Sequence, residues 1–263
     1  MKLYDEVAKR IVFLSDAATE KFWTEKWLES DLKEAIEKKG NSCVLSYTRK
    51  YLPKGAMILE GGCGTGVQVN ALYKDGYNCI GVDFAKDVID NVNCLGYKFT
   101  LEHGDVRNLS FPDEHFDGYW SLGVIEHFWE GYDQIAHEMF RVLKPNRYLF
   151  ITFPVMSPLR VLKVFFKRYP YLKRAKMPTD FYQFALSLDL TVANFEKIGF
   201  KLVEKKFMDG FKGLKDEVYI TANVMQKIYD SNWLLCKAIR YTINSLFSRI
   251  CGHTVLLVFV RSR

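Results

Sequence analysis

The chain has 263 residues, 49% hydrophobic and 26% charged, a balance that supports a sizeable buried core and excludes disordered or fibrous classes. Its formal charge of +6 is unevenly spread. Residues 154–187 carry seven Lys or Arg (Arg160, Lys163, Lys167, Arg168, Lys173, Arg174 and Lys176) against one acid, Asp180, so the remainder is close to neutral.

Residues 1–40 read as mostly helical, with Phe22, Trp23 and Trp27 at helical spacing before the charged run 31–39. Such a stripe suits an amphipathic helix packed on the domain, or a lid whose aromatics close over a ligand. From residue 41 strand and helix signals alternate. Apolar runs of strand length fall at 57–59, 79–82, 97–101, 116–122 and 147–153, with helical patterns at 66–74, 86–94 and 132–143 between them. Lys144-Pro145-Asn146 reads as a helix stop and turn. This rhythm predicts βαβ units and a mostly parallel sheet with helices on both faces.

After Phe153 the rhythm breaks. The basic aromatic stretch 154–187 precedes a helix near 190–198 and an alternating strand at 200–207. A second irregular stretch, 209–252, has apolar helical patterning at 233–250, and 253–260 reads as a closing strand. The chain therefore divides into an N-terminal helical segment, 1–40, and one α/β domain, 41–263, with insertions at 154–187 and 209–252. Six cysteines without a CxxC pair suit a reducing compartment. The charges in Met1-Lys2-Leu3-Tyr4-Asp5-Glu6 do not suit a signal peptide, and no uncharged apolar run approaches the ~20 residues that span a bilayer. The expected location is the cytoplasm, with attachment to a membrane surface left open.

The densest chemical signal is Ile58-Leu59-Glu60-Gly61-Gly62-Cys63-Gly64-Thr65-Gly66, followed by Asp83 at the end of Ile80-Gly81-Val82-Asp83. Glycine lets a ligand lie against the backbone, so four in six residues after an apolar run point to a bound nucleotide-like group. A dinucleotide fingerprint needs a small third residue for helix–strand packing. The two possible registers put Val67 or Val69 there, which disfavours a nicotinamide-dependent oxidoreductase.

The alternative pattern, acid-x-G-x-G-x-G, is met by residues 60–66 and resembles the class I S-adenosylmethionine-dependent methyltransferases, within the group related to quinone-biosynthesis methyltransferases. Further motifs match in order: Asp83 in Gly-Val-Asp-Phe-Ala; His103-Gly104-Asp105-Val106; residues 116–127, ending in Gly123-Val124-Ile125-Glu126-His127; and Arg141-Val142-Leu143-Lys144-Pro145-Asn146-Arg147, where the family usually has Leu-Lys-Pro-Gly-Gly. The resemblance implies a Rossmann-like seven-stranded sheet with an antiparallel last strand. It implies S-adenosyl-L-methionine as cofactor and S-adenosyl-L-homocysteine as product. It sets Gly61, Gly62, Cys63 and Gly64 against the methionine and ribose part, with Glu60 ordering that loop. Asp83 would accept from the ribose hydroxyls, Phe84 would pack on adenine, and Asp105 and the Val106 amide would bond its edge. Ser121 and Leu122 would face the methionine. Taken singly, Asp83 also suits a helix N-cap and Asp105 a turn.

Methyl transfer from a sulfonium needs a positioned nucleophile and, for some acceptors, a base. His127 is the candidate base; its alternative is a helix-start histidine bonded locally. Some quinone-pathway relatives carry Glu-x-x-Glu-His for a divalent metal, and Gly123 replaces the first acid here, so no metal is expected. His103, His115, His137 and His253 lack ligand-like spacing and read as turn or surface residues. The basic insertion, rich in Phe and Tyr, admits three readings: contact with a small or lipid-linked anionic acceptor, a peripheral membrane surface together with 233–250, or a solvated lid helix. Nucleic acid is disfavoured, because no RNA-binding module and no Asn-Pro-Pro-Tyr-type motif is present. A catalytically silent cofactor-binding domain and an RNA methyltransferase remain the alternatives.

Overall fold

The computed structural model describes every residue except 30, 39, 174–176 and 219–221, so Arg174 and Lys176 of the basic insertion lie outside the described residues. In chain order the strands are β1 (Lys2–Asp5), β2 (Arg10–Leu14), β3 (Met57–Gly61), β4 (Asn78–Asp83), β5 (Thr100–His103), β6 (Phe116–Leu122), β7 (Leu143–Pro154), β8 (Phe181–Ala185), β9 (Phe200–Met208) and β10 (Thr254–Arg261). The α-helices are α1 (Glu20–Leu28), α2 (Leu32–Glu37), α3 (Ser42–Tyr51), α4 (Val67–Lys74), α5 (Lys86–Asn93), α6 (Asp133–Val142), α7 (Pro158–Phe165), α8 (Leu188–Ile198), α9 (Gly210–Glu217), α10 (Ala222–Asp230) and α11 (Leu234–Cys251).

Seven strands form one sheet in the order β5-β4-β3-β6-β7-β10-β9. All run the same way except β10, which is antiparallel to both β7 and β9. The expected α/β sheet with its antiparallel last strand is thus observed. Period-two alternation divides the side chains between two cores. Leu149, Ile151 and Phe153 of β7, with Val255, Leu257 and Phe259 of β10, enter the core that α6 and α8 cover. Phe150, Leu256 and Val258 enter the core beneath α3, α4 and α5. Trp120 of β6 stacks on Phe150 with ring centroids 4.4 Å apart, and its indole N–H donates to the buried Thr48 hydroxyl at 3.0 Å. At the turn into β7, Asn146 stands where relatives carry glycine and has φ +58°. Asparagine is among the few side chains that tolerate the left-handed region.

The first fourteen residues depart from the helical expectation. β1 and β2 form a hairpin, and β2 pairs with β8 to complete a separate three-stranded sheet. The β-branched and aromatic run Ile11-Val12-Phe13 favours a pleated strand, and its partner is about 170 residues away, beyond the reach of any local pattern. Only 20–37 is helical in that segment.

The basic insertion is also not uniformly solvated. Arg160 is buried, and its guanidinium meets Glu217 at 3.0 Å. Lys2 (2.8 Å) and Lys163 (2.7 Å) meet the same carboxylate, and the Tyr169 hydroxyl donates to it. Burial alone would raise the Glu217 pKa; the Lys2 and Arg160 charges outweigh it, with hydrogen bonds from Lys163 and Lys2, and hold the carboxyl down at about 2. His253, expected in a turn or at the surface, is buried beside this cluster. Its Nδ1 is 3.0 Å from Arg160 and its Nε2 2.8 Å from Lys212. Burial and then those cations push its pKa down to about 2, so the imidazole stays neutral.

The Glu217 cluster ties β1, α7 and α9 together. Replacing Glu217 by Ala strands buried cations and is expected to cost about 3–5 kcal/mol, a melting-temperature loss of roughly 6–15 °C, read by circular dichroism. A loss below about 1 kcal/mol would show that the cluster does not hold these elements. Because the folded carboxyl lies below its ordinary 4.5, its stabilisation is complete above about pH 4.5 and is lost as pH falls toward 2.

Candidate active site

The site gathers at the carboxyl ends of β3, β4 and β6, where parallel strands leave a crevice. β3 ends in Glu60 and Gly61, and the turn that follows is clamped from β4. The amides of Gly62 and Cys63 donate to the Val82 carbonyl at 2.8 and 3.1 Å. Asp83, also buried, accepts from the Gly64 amide at 2.8 Å through one oxygen and from the Ala85 amide at 3.0 Å through the other. Burial raises the Asp83 pKa against those hydrogen bonds. A carboxylate with two bonds still has lone pairs free for further donors.

The glycines are required for two different reasons. Gly61 lies in extended backbone, where a Cβ would overlap the Tyr119 hydroxyl on the neighbouring β6. Gly62 has φ +78° and Gly64 φ +52°, so a side chain at either would be strained as well as obstructed. Val124 would block Gly62, and the Trp27 indole lies 2.9 Å from the place a Gly64 Cβ would take. That tryptophan belongs to α1, which packs against α5 and covers the turn. A hollow of about 270 Å³ beside α4 and another of about 670 Å³ along β9 and α11 both lie away from this turn.

Several buried polar atoms in this crevice have no hydrogen-bond partner: Glu60 Oε2, Tyr119 Oη, Ser121 Oγ and Glu126 Oε2. Native proteins rarely leave such groups orphaned; Tyr119 and Ser121 share one face of β6, with Ser121 directly paired to Gly61, whereas Glu60, paired to Trp120, points to the other face beneath α4. Burial and then the Asp83 charge push the Glu60 pKa up to about 8, against a hydrogen bond from the Val69 amide at the start of α4. Burial likewise pushes Glu126 up to about 8. The cradle is acidic, narrow and rich in acceptors. It fits a cationic amino-acid and nucleoside group better than a phosphate.

The remaining predicted residues are placed unevenly. Cys63 is buried in the turn, and burial raises its thiol well above the usual value. Phe84 is exposed beside Asp83, Val106 is buried, and Leu122 is half-buried after Ser121. Asp105 is taken up by Arg107, which donates to it through its backbone amide (2.8 Å) and guanidinium (2.6–3.0 Å). The Arg107 hydrogen bond lowers the Asp105 pKa despite partial burial. Its free acceptor capacity is smaller than the sequence suggested, because Arg107, two residues on, bends back over it.

His127 ends a short 3₁₀ turn, Ile125–His127. Its Nδ1 lies 2.7 Å from the Tyr182 carbonyl of β8. That carbonyl can only accept, so Nδ1 carries the hydrogen and Nε2 keeps its lone pair. Burial lowers the His127 pKa to about 4, against the carbonyl's opposing pull. Trp23 stands edge-on to His127 at 5.1 Å, Tyr182 edge-on at 5.2 Å, and Trp23 stacks on Trp27 at 5.8 Å. Tyr182 and Tyr119 carried no sequence signal that singled them out, and Glu126 was visible only as the second acid of an incomplete Glu-x-x-Glu-His pattern.

Residues 59–151 match the family model described as a methyltransferase domain. Over those residues the chain is similar to S-adenosylmethionine-dependent methyltransferases, and that similarity implies S-adenosylmethionine as cofactor. Among curated relatives, it is 30% identical over 100 residues to a probable S-adenosylmethionine-dependent methyltransferase of Mycolicibacterium smegmatis, covering 38% of each chain. It is 33% identical over 106 residues to a 2-methyl-6-phytyl-1,4-hydroquinone methyltransferase of Synechocystis, covering 38% of this chain and 32% of that one. The matches thus span about a third of those relatives' lengths. Among solved structures, an S-adenosylmethionine-dependent methyltransferase from Archaeoglobus fulgidus aligns over 92% of this chain and 99% of that one, with TM-score 0.57 and 20% identity. A [4+2]-cyclase, SpnF, aligns over 95% of this chain and 98% of that one with TM-score 0.57 at 15% identity, so the fold alone does not specify the reaction.

The two raised carboxyls give a pH signature. Because Glu60 and Glu126 stand above their ordinary 4.5, the stability they contribute is complete below about pH 4.5 and is lost as pH rises through 8. Glu126→Gln mimics the neutral carboxyl and is expected to flatten the decline between about pH 4.5 and 8 by up to about 1.4 kcal/mol per pH unit, measured by denaturant unfolding. Parallel profiles for the two proteins would refute a neutral Glu126.

Proposed function

We propose that the chain transfers the methyl group of S-adenosylmethionine to a small or lipid-linked acceptor bound between the end of β6 and the aromatic wall of α1 and β8. The observation that carries this reading is His127: it lies just beyond the end of β6, and its Nδ1 is occupied by a main-chain carbonyl, so its neutral Nε2 keeps a lone pair. In this reading Glu60, Gly61, Gly62, Cys63 and Gly64 line the methionine and ribose part. Asp83 accepts from the ribose hydroxyls with its remaining lone pairs while holding the Gly64 amide. Phe84 offers its exposed ring to the adenine face, Asp105 and the Val106 amide meet its edge, and Ser121 and Leu122 face the methionine.

When bound, the cofactor would supply the methyl group, already activated on a cationic sulfur, and its leaving thioether, whose departure needs no acid. His127 Nε2 would take the proton that the acceptor gives up. The protein's task is alignment and exclusion of water. Phe22, Trp23 and Trp27 make α1 a lid facing Tyr182 of β8. A pKa near 4 makes His127 a weak base, which suits an acidic acceptor such as a phenol better than an aliphatic alcohol. The similarity to a hydroquinone methyltransferase supports that class of acceptor.

Asp83→Ala is expected to weaken S-adenosylhomocysteine binding by roughly 10–100-fold in calorimetry, the equivalent of about 1.5–3 kcal/mol for a hydrogen-bonded charged group. His127→Ala should leave that affinity within about threefold while reducing labelled methyl transfer to phenolic acceptors by about 10²–10⁴-fold. Absence of any binding heat from folded native protein would overturn the cofactor assignment. Binding without transfer to any phenolic or lipid acceptor would point to a silent domain.

A further inference from the structure

Helix α7 is inverted relative to an ordinary surface helix. Its charged members, Arg160 and Lys163, turn inward onto Glu217, and Arg160 is buried. Three of its apolar members, Val161, Leu162 and Phe165, point into water together with Phe166 at its C-terminus. The spacing i, i+1, i+4, i+5 puts those four on one face. Phe165 is 78% exposed and Phe166 60% exposed, and their rings touch edge to face, 5.3 Å between centroids. The next residues, Lys167 and Arg168, are exposed, as is Lys173, and none of the three meets an acidic side chain among the described residues.

Helix α11 packs alongside α7. Its first turn exposes Trp233 (73%) and Leu234 (82%). No described helix is long and apolar enough to cross a membrane. Exposed bulky apolar side chains rimmed by cations are what a helix lying in the headgroup layer requires.

We propose that the outward face of α7 and the cations that follow it form a docking surface for an anionic lipid bilayer. Charge decides for a bilayer over a second copy of the chain. A two-fold contact through this face would bring Lys167 and Arg168 of both copies together, whereas anionic headgroups neutralise them, each cation contributing about 1 kcal/mol near such a surface. The surface also has a suitable place. α7 begins just beyond the end of β7, at the same edge of the sheet as Ser121 and Glu126, so an acceptor held in the bilayer would be presented to the methyl-transfer site. Docking itself does not depend on the methyl-transfer reading and is measured without turnover.

The test is co-sedimentation of the full chain with phosphatidylcholine vesicles, with and without phosphatidylglycerol, alongside sedimentation velocity without lipid. The native chain is expected to pellet with the anionic vesicles, far less with neutral ones, and less as salt rises. Phe165→Ser with Phe166→Ser, and separately Lys167→Glu with Arg168→Glu, should each weaken anionic-vesicle binding by on the order of tenfold or more. Melting temperature and S-adenosylhomocysteine affinity should stay native, which separates lost docking from lost fold. The proposal is overturned if the native chain stays in the supernatant with anionic vesicles, or if the phenylalanine pair can be replaced without loss of binding. A native dimer that the same pair of substitutions dissociates, with no vesicle binding, would assign the face to a second copy instead.

Discussion

The organisation of this protein depends on one buried carboxylate. Asp83 ends β4 with both oxygens engaged by main-chain amides, one from the glycine turn of β3 and one from the start of α5. Two parallel strands and the loops that leave them are thereby fixed against each other at a single point. The bonds also offset the cost of leaving a carboxyl without water. With the turn pinned, the residues around it can be held in a geometry that does not serve their own stability. Glu60, Ser121 and Glu126 are buried with unanswered oxygens, a state that folding alone does not favour. The stability given up here is recovered in the two cores on either side of the sheet, where the site contributes little.

Electrostatics separates the two halves of the molecule. The crevice at β3, β4 and β6 contains acids that burial pushes toward neutrality. The cations of the insertion lie in a cluster around Glu217 or on the exposed rim after α7, while Arg107 covers Asp105 and Lys26 lies over Trp23. The basic insertion thus has two roles that composition blends together: Arg160 and Lys163 brace the structure, while Lys167, Arg168 and Lys173 face solvent.

The alternation of strands and helices and the glycine turn were legible because they are local. A strand, a glycine run and an acid about twenty residues on are set by neighbouring residues, and apolar runs such as Leu149-Phe150-Ile151 announce strands covered on both faces. The hairpin of β1 and β2 was not legible. Its third strand lies across the chain, and the aromatic helix that follows it dominates the pattern. The burial of Arg160 and His253 was hidden for the same reason, since their partners Glu217, Lys2 and Lys212 are scattered in sequence. Asp105 shows the opposite failure. Its motif was read correctly as sequence, yet Arg107 occupies most of its acceptor capacity.

The orientation of His127 has a consequence for how this site can change. Its partner is the main-chain carbonyl of residue 182, not a side chain, and every amino acid supplies that carbonyl. Substitution at 182 can alter the chamber wall while the histidine's tautomer stays as it is. What would disturb it is a slip of β8 against β2, whose pairing already carries an irregularity between Phe13 and Leu14. The side chain at 182 is thus free to change, while the orientation of the imidazole is held by the register of a small sheet that packs against β7.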